Sequence, residues 1–280
     1  MSKLPLVIED MLQLNHPEKT LAIFPGMNEQ CAADIYGLTL KKYKKIVNCF
    51  KDNAKKAAEC LLEDKQLLAQ IQKLPFKSGQ TIIGLGDSIT DDYQSWFEIL
   101  TNIVHMAISD DIRFINAGIS GDTTSQMITR FIGVVNNKPD WILCMAGTND
   151  AREHGLFPNK LNVSIPETEA NCKMLLHFAK TQTSAKWIWL TPSRVIDKVQ
   201  ENHPYMKIVQ FIIRSKNLYP IVKFIRKQKE PFVEIWNAFG ENIDPKLLLE
   251  DGLHPSLEGH KLIVTKVIDR LSKLDQQADR

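Results

Sequence analysis

The sequence predicts an α/β fold: a three-layer α/β/α arrangement around a doubly wound, five-stranded parallel sheet, preceded by an N-terminal helical extension. Three observations carry this. After about residue 79 short apolar runs alternate with amphipathic stretches, the pattern of strands each followed by a helix. Before it the apolar spacing is helical throughout. Pro75, Lys77, Ser78 and Gly79 punctuate the chain between the two. The organisation expected is an extension over 1–78 and an α/β unit over 79–280.

In the extension, Tyr43, Val47, Phe50, Ala54, Ala57 and Leu61 recur at three- and four-residue steps and make one apolar stripe. Leu67, Leu68 and Ile71 extend that helix or begin a second. Lys41, Lys42, Lys44, Lys45, Lys51, Lys55 and Lys56 read as a solvated outer face, and the segment has no arginine to grip phosphate bidentately. Beyond Gly79 the strand candidates are Thr81–Leu85, Arg113–Asn116, Trp141–Met145, Lys186–Leu190 and Phe232–Trp236. Helical patterns follow them at about Tyr93–Ala107, Thr123–Val135, Glu167–Gln182, Tyr205–Gln228, interrupted near Pro220, and Ser256–Leu274. Five such units joined by right-handed crossovers give a parallel sheet covered on both faces.

Composition excludes several classes. The chain has 280 residues, 44% of them hydrophobic and 24% charged, which excludes disorder, a fibrous repeat and a disulfide mini-fold. A net charge of +2 provides no field for a polyanion, so no nucleic-acid partner is expected. No apolar run approaches the ~20 residues of a membrane span, and the N-terminal residues break off at Glu9 and Asp10 before any signal-peptide core. The expected location is cytoplasmic. Five cysteines without CxxC spacing fit reduced thiols better than a disulfide framework or a zinc site, so no metal is expected.

In a doubly wound sheet the active site lies beyond the carboxyl ends of the strands, so the polar motifs there carry the functional reading. The first strand runs into Gly84-Leu85-Gly86-Asp87-Ser88-Ile89-Thr90, with a serine in the first strand-to-helix turn. Gly-Asp-Ser is also a common turn, in which Ser88 would merely cap a helix. A dinucleotide reading of the glycines fails because Ile89 stands where the third glycine belongs. The second strand leads to Ser120-Gly121-Asp122-Thr123, where Gly121 either presents a backbone N–H to an anion or only makes a tight turn. The third ends in Gly147-Thr148-Asn149-Asp150, whose Asn149 either donates to an oxyanion or holds a turn. Near the C-terminus Asp251 precedes His254-Pro255 by three residues, close enough to orient the imidazole.

Together these four blocks, in this chain order, resemble the GDSL or SGNH family of serine hydrolases over roughly residues 80–275. Isoleucine replaces leucine in the nominal GDSL tetrapeptide, and residues before Gly79 have no counterpart in the minimal fold. The resemblance implies the flavodoxin-like strand order 2-1-3-4-5, which makes the first and third strands neighbours. It implies Ser88 as nucleophile, His254 as general base and acid, Asp251 as orienting carboxylate, and Ser88 N–H, Gly121 N–H and the Asn149 amide as oxyanion donors. It further implies a small-molecule ester substrate, short acyl or acetyl, carbohydrate esters included, cleaved through an acyl-enzyme on Ser88 with no cofactor required. A thioesterase, lysophospholipase or acyltransferase would use the same residues, and a non-enzymatic scaffold would need none of them. Since every catalytic candidate lies after Gly79, residues 1–78 are expected to carry no chemistry. Where they pack, and whether they mediate oligomerisation, stays open.

Overall fold

The computed structural model describes residues 8–155 and 157–274. Its centre is a five-stranded parallel sheet built from β1 (Thr81–Gly86), β2 (Arg113–Gly118), β3 (Trp141–Met145), β6 (Lys186–Leu190) and β8 (Phe232–Val233). Their spatial order is β2-β1-β3-β6-β8, so the first strand sits between the second and third. A smaller antiparallel sheet, order β5-β4-β7, comes from β4 (Arg152–His154), β5 (Phe157–Leu161) and β7 (Phe211–Ile213).

Period-two alternation divides the central strands between two cores. Ile82, Leu143, Met145, Ile188 and Leu190 face one layer of helices, while Ile83, Leu85, Ile142, Cys144, Trp187 and Trp189 face the other. A strand buried on both faces is a continuous apolar run, which is why these segments stood out in the sequence. The first layer holds α4 (Leu40–Leu62), α5 (Lys65–Ile71), α7 (Trp96–Ala107) and α14 (Leu257–Leu271). The second holds α8 (Thr124–Thr129), α9 (Phe131–Asn136), α10 (Ile165–Gln182) and α13 (Ser215–Arg226). Short helices complete the fold: α1 (Ile8–Leu14), α2 (Pro17–Thr20), α3 (Glu29–Ile35), α6 (Ser88–Asp91), α11 (Asp197–Asn202) and α12 (Pro204–Val209).

Two parts of the N-terminal segment pack differently. Ala54, Ala57, Ala58, Leu67 and Ile71 belong to the same core as Ile82 of β1. Leu12, Ala32, Ala33, Leu38, Tyr43 and Val47 instead form a separate small core among α1, α3 and α4. Leu67 and Ile71 begin a second helix, since Asp64 caps α5 by accepting from Gln66 N and Leu67 N.

Several element boundaries differ from expectation, each for a local reason. The helix expected over 93–107 begins at Trp96, where Ser95 caps it. The helix expected over 123–135 breaks at Arg130, whose side chain is engaged by Asp122, Ala117 O and Gly86 O. The pattern over 205–228 resolves into α12, β7 and α13, and the interruption falls at Gln210, with φ +52°, rather than at Pro220. Buried Gln200 clamps β7 by donating to Ile213 O and accepting from Ile213 N. Pro220 lies inside α13, where the buried stripe Leu218, Ile221, Val222 and Ile225 outweighs one lost backbone bond. The last strand stops at Val233 because Thr191 Oγ1 takes the N–H groups of Ile235 and Trp236.

Candidate active site

β1 and β3 pair with Gly86 opposite Met145, so the turns that follow them open side by side. Ser88 begins α6, two residues past the end of β1, and Asp87 caps that helix through Ile89 N at 3.1 Å. Burial pushes the Asp87 carboxyl up to about 6, with the hydrogen bond from Ile89 N–H limiting the rise.

His254 approaches from the other end of the chain. Its Nε2 lies 2.9 Å from Ser88 Oγ, and its Nδ1 lies 2.5 Å from Asp251 Oδ2. A carboxylate only accepts, so Nδ1 carries the proton and Nε2 is left to accept from the Ser88 hydroxyl. Asp251 also organises its own turn, Oδ1 accepting from Leu253 N at 2.8 Å and from His254 N at 3.0 Å. Gly252 makes this turn possible: its φ is +68°, and a Cβ there would stand 2.7 Å from Val199 Cβ. Burial raises the cost of ionising either partner, but the opposite charge and shared hydrogen bond win: Asp251 is held below the usual carboxylate range and His254 above the usual histidine range. Both side chains remain 14% exposed.

Gly121 is solvent-exposed with φ +82° and no atom within 4 Å of the position a Cβ would take, so its backbone is approachable from solvent. Asn149 Nδ2 donates to Asp122 O at 3.1 Å, which ties the turn after β3 to the residue following Gly121. Its second amide hydrogen is left for another acceptor. The structure thus joins Ser88, His254 and Asp251 in one hydrogen-bonded line, and holds Asn149 next to the Gly121 turn.

Other residues, given no role by the sequence, hold these loops. Asp150 Oδ2 accepts from Thr124 N at 2.9 Å and Oδ1 from the Thr124 and Thr168 hydroxyls, fixing the start of α8 to the end of β3. Arg130 spans the ends of β1 and β2 and pairs with Asp122 at 2.5 Å. Asp91, one turn after Ser88, is bound by His16 and Lys19 from the N-terminal segment. Nothing in a local motif signals such distant single-residue partners. Among the described residues no cluster of three or more His, Cys, Asp or Glu is arranged to hold a metal ion, and no helix is long and apolar enough to cross a membrane.

The model of the GDSL-like lipase/acylhydrolase family matches residues 85–262, a stretch that contains the Ser88, Gly121, Asn149 and Asp251–His254 blocks. The chain belongs to the GDSL-like lipase/acylhydrolase family. As a member it is a carboxylic ester hydrolase. An acetylxylan esterase of Geobacillus stearothermophilus is 29% identical to it over 210 residues, covering 66% of this chain and 91% of that protein. An arylesterase of Vibrio mimicus is 26% identical over 205 residues, covering 70% and 90%. Among solved structures, a lipase/acylhydrolase from Enterococcus faecalis superposes with a TM-score of 0.56 at 21% identity, covering 69% of this chain and 95% of that one. A single-site variant of an acetyl xylan esterase from Geobacillus stearothermophilus superposes with a TM-score of 0.55 at 23% identity, covering 71% and 96%. These two likenesses establish the shared α/β/α fold, with the five-stranded parallel sheet in the order the family resemblance implied.

Proposed function

We propose that this protein hydrolyses short-chain acyl esters, acetyl esters of carbohydrates among them, through an acyl-enzyme on Ser88. The observation that carries the proposal is the line Ser88 Oγ, His254 Nε2, His254 Nδ1, Asp251 Oδ2, with separations of 2.9 and 2.5 Å across its two hydrogen bonds. A serine hydroxyl is a weak nucleophile until a base takes its proton. His254 Nε2 takes that proton as Oγ attacks the ester carbonyl carbon, and Asp251 stabilises the imidazolium. The negative charge moves to the carbonyl oxygen, where Ser88 N–H, Gly121 N–H and the Asn149 amide serve as donors. His254 then returns the proton to the alcohol oxygen as the C–O bond breaks. In the second half water replaces the alcohol: His254 removes its proton, hydroxide adds to the acyl carbon, and the carboxylic acid leaves as Ser88 regains its hydrogen.

The chemistry is assigned to residues 79–280, with 1–78 as an extension. The acyl preference is supported by the relatives, one an acetylxylan esterase and the other an arylesterase. A reducing, cytoplasmic setting is supported by five unpaired thiols, with Cys144 and Cys172 buried. The test is turnover on p-nitrophenyl acetate, octanoate and palmitate beside a panel of acetylated xylo-oligosaccharides. Highest kcat/KM on acetyl esters is expected, with Ser88→Ala inert on all of them. A preference for palmitate, or acyl transfer to an added sugar in place of hydrolysis, would overturn the reading.

A further inference from the structure

The N-terminal segment touches the walls of the site directly. His16 Nδ1–H donates to Asp91 Oδ1 at 2.7 Å, and both side chains are 1% exposed. Lys19 Nζ lies 2.5 Å from the same oxygen. The other carboxylate oxygen, Asp91 Oδ2, accepts from Ser120 N at 3.0 Å, and Ser120 immediately precedes Gly121. Lys19 Nζ also donates to Asn116 Oδ1 at 3.3 Å and to Gly118 O at 3.2 Å, both at the end of β2. Three acceptors occupy the three N–H bonds of the ammonium, so Lys19 has no donor left for a substrate.

A second set of contacts seats the segment. Gln13 Nε2 donates to Asp92 Oδ2 at 2.7 Å, Tyr93 N donates to Gln13 O at 3.3 Å, and the His16 ring lies 3.7 Å from that of Tyr93. Burial alone would raise Asp91, but the hydrogen bond from His16 and the Lys19 charge hold it below the usual carboxylate range. It therefore stays ionised and keeps both oxygens as acceptors. A charge-assisted bond to the Ser120 N–H fixes the turn that presents the Gly121 N–H.

We propose that His16 and Lys19 are positioning residues for the hydrolase reaction, acting through Asp91 to hold the Ser120–Gly121 turn in the geometry an oxyanion donor needs. This rests on the Ser88 reading above. Preorganised donors act through placement, so loosening the turn lowers kcat and leaves ground-state binding largely alone.

The test uses the full chain, p-nitrophenyl acetate as substrate, and diethyl p-nitrophenyl phosphate to count active sites. Lys19→Met should lower kcat per titrated site about 10- to 100-fold with KM little changed, the loss expected of a displaced rather than deleted donor. Asp91→Asn should do the same, and the double variant should be no worse than Asp91→Asn alone, because Lys19 acts through Asp91. Lys19→Arg, which keeps the charge, should recover part of the loss. Lys44→Met, which breaks the exposed pair of Lys44 on α4 with Glu29 on α3, should leave kcat unchanged. Should Lys19→Met not fold, His16→Phe keeps a ring on Tyr93, removes the donor, and should show the same kcat deficit. Ser88→Ala that retained turnover would overturn the Ser88 reading and this proposal with it. Ser88→Ala inert beside a Lys19→Met or His16→Phe with full kcat per site, or additive losses in the double variant, would overturn this proposal alone.

Discussion

His254 and His260 stand six residues apart, one in a loop and one on α14, and each faces an aspartate. His254 Nδ1 binds Asp251 and its Nε2 points at Ser88 Oγ, with the ring still 14% exposed. His260 and Asp92 are fully buried: Nδ1 accepts from Trp96 N at 3.2 Å, and Nε2 donates to Asp92 Oδ2 at 3.3 Å. A carboxylate partner therefore does not make a histidine a base. What separates the two rings is the second nitrogen, which is committed to the helix start in His260 and offered to a hydroxyl near solvent in His254.

That contrast is most strongly tested at Ser88 and His254. Ser88→Ala and His254→Ala should each abolish turnover to a similar degree, by about 10⁶-fold in kcat, because a nucleophile and its base work as one unit. Phosphonate labelling should fail in the serine variant. A His254→Ala enzyme near wild-type turnover would move the search for the base to His105, His154, His177, His203 or His260.

Asp251→Asn should cost less, about 10⁴-fold, since the orienting carboxylate is the least costly member to lose. It should also shift the pH profile. His254 must be neutral to act, so kcat/KM rises with pH through its pKa, which Asp251 holds above the usual histidine value. Removing the carboxylate withdraws the charge that favours the imidazolium, so the acidic limb of the remaining activity should move to lower pH. An unchanged limb would mean that another group titrates there.

Asn149→Ala should lower kcat by about 10²–10³, or ~2.7–4 kcal/mol, with KM little changed, as expected for a donor aimed at the transition state. If Asn149 only holds its turn, through the bond to Asp122 O, the variant would instead melt lower and keep normal turnover per folded molecule.

The smallest effect on catalysis is expected at the other histidine. His260→Ala leaves Trp96 N without its acceptor in the core and takes one donor from Asp92, which keeps those of Gln13 and Gln94 N, so stability should fall by about 1–3 kcal/mol. Turnover per titrated site should stay near wild type. A variant with normal melting and lost activity would erase the distinction between the two rings.

The sequence displayed some of this and concealed the rest for physical reasons. β1, β3 and β6 were legible because burial on both faces demands unbroken apolar runs such as Trp141–Met145. The four polar blocks were legible because each sits in the turn after a strand or before the last helix. The small sheet was not, since Arg152-Glu153-His154 is short, polar and set by its partners β5 and β7. The break at Arg130 goes with its side-chain bonds to Asp122, Ala117 O and Gly86 O, and the one at Gln210 with a left-handed backbone followed by a strand that Gln200 clamps at Ile213, none of which periodicity reports. His16 and Lys19 were invisible for the same cause: they meet Asp91 across 75 and 72 residues of chain through single polar contacts.

The hydrogen bond between Ser88 and His254 spans 166 positions of sequence, and that span has a consequence during synthesis. A ribosome adding about 5–20 residues per second emits the histidine roughly 8–33 s after the serine. In the course of that interval the growing polypeptide adds β2, β3 and the amide of Asn149 to β1, but not yet the imidazole that faces the Ser88 hydroxyl. Under the proposed mechanism the nascent chain is therefore silent until the His254 loop arrives, and activation would coincide with docking of α14 onto α7 and β8.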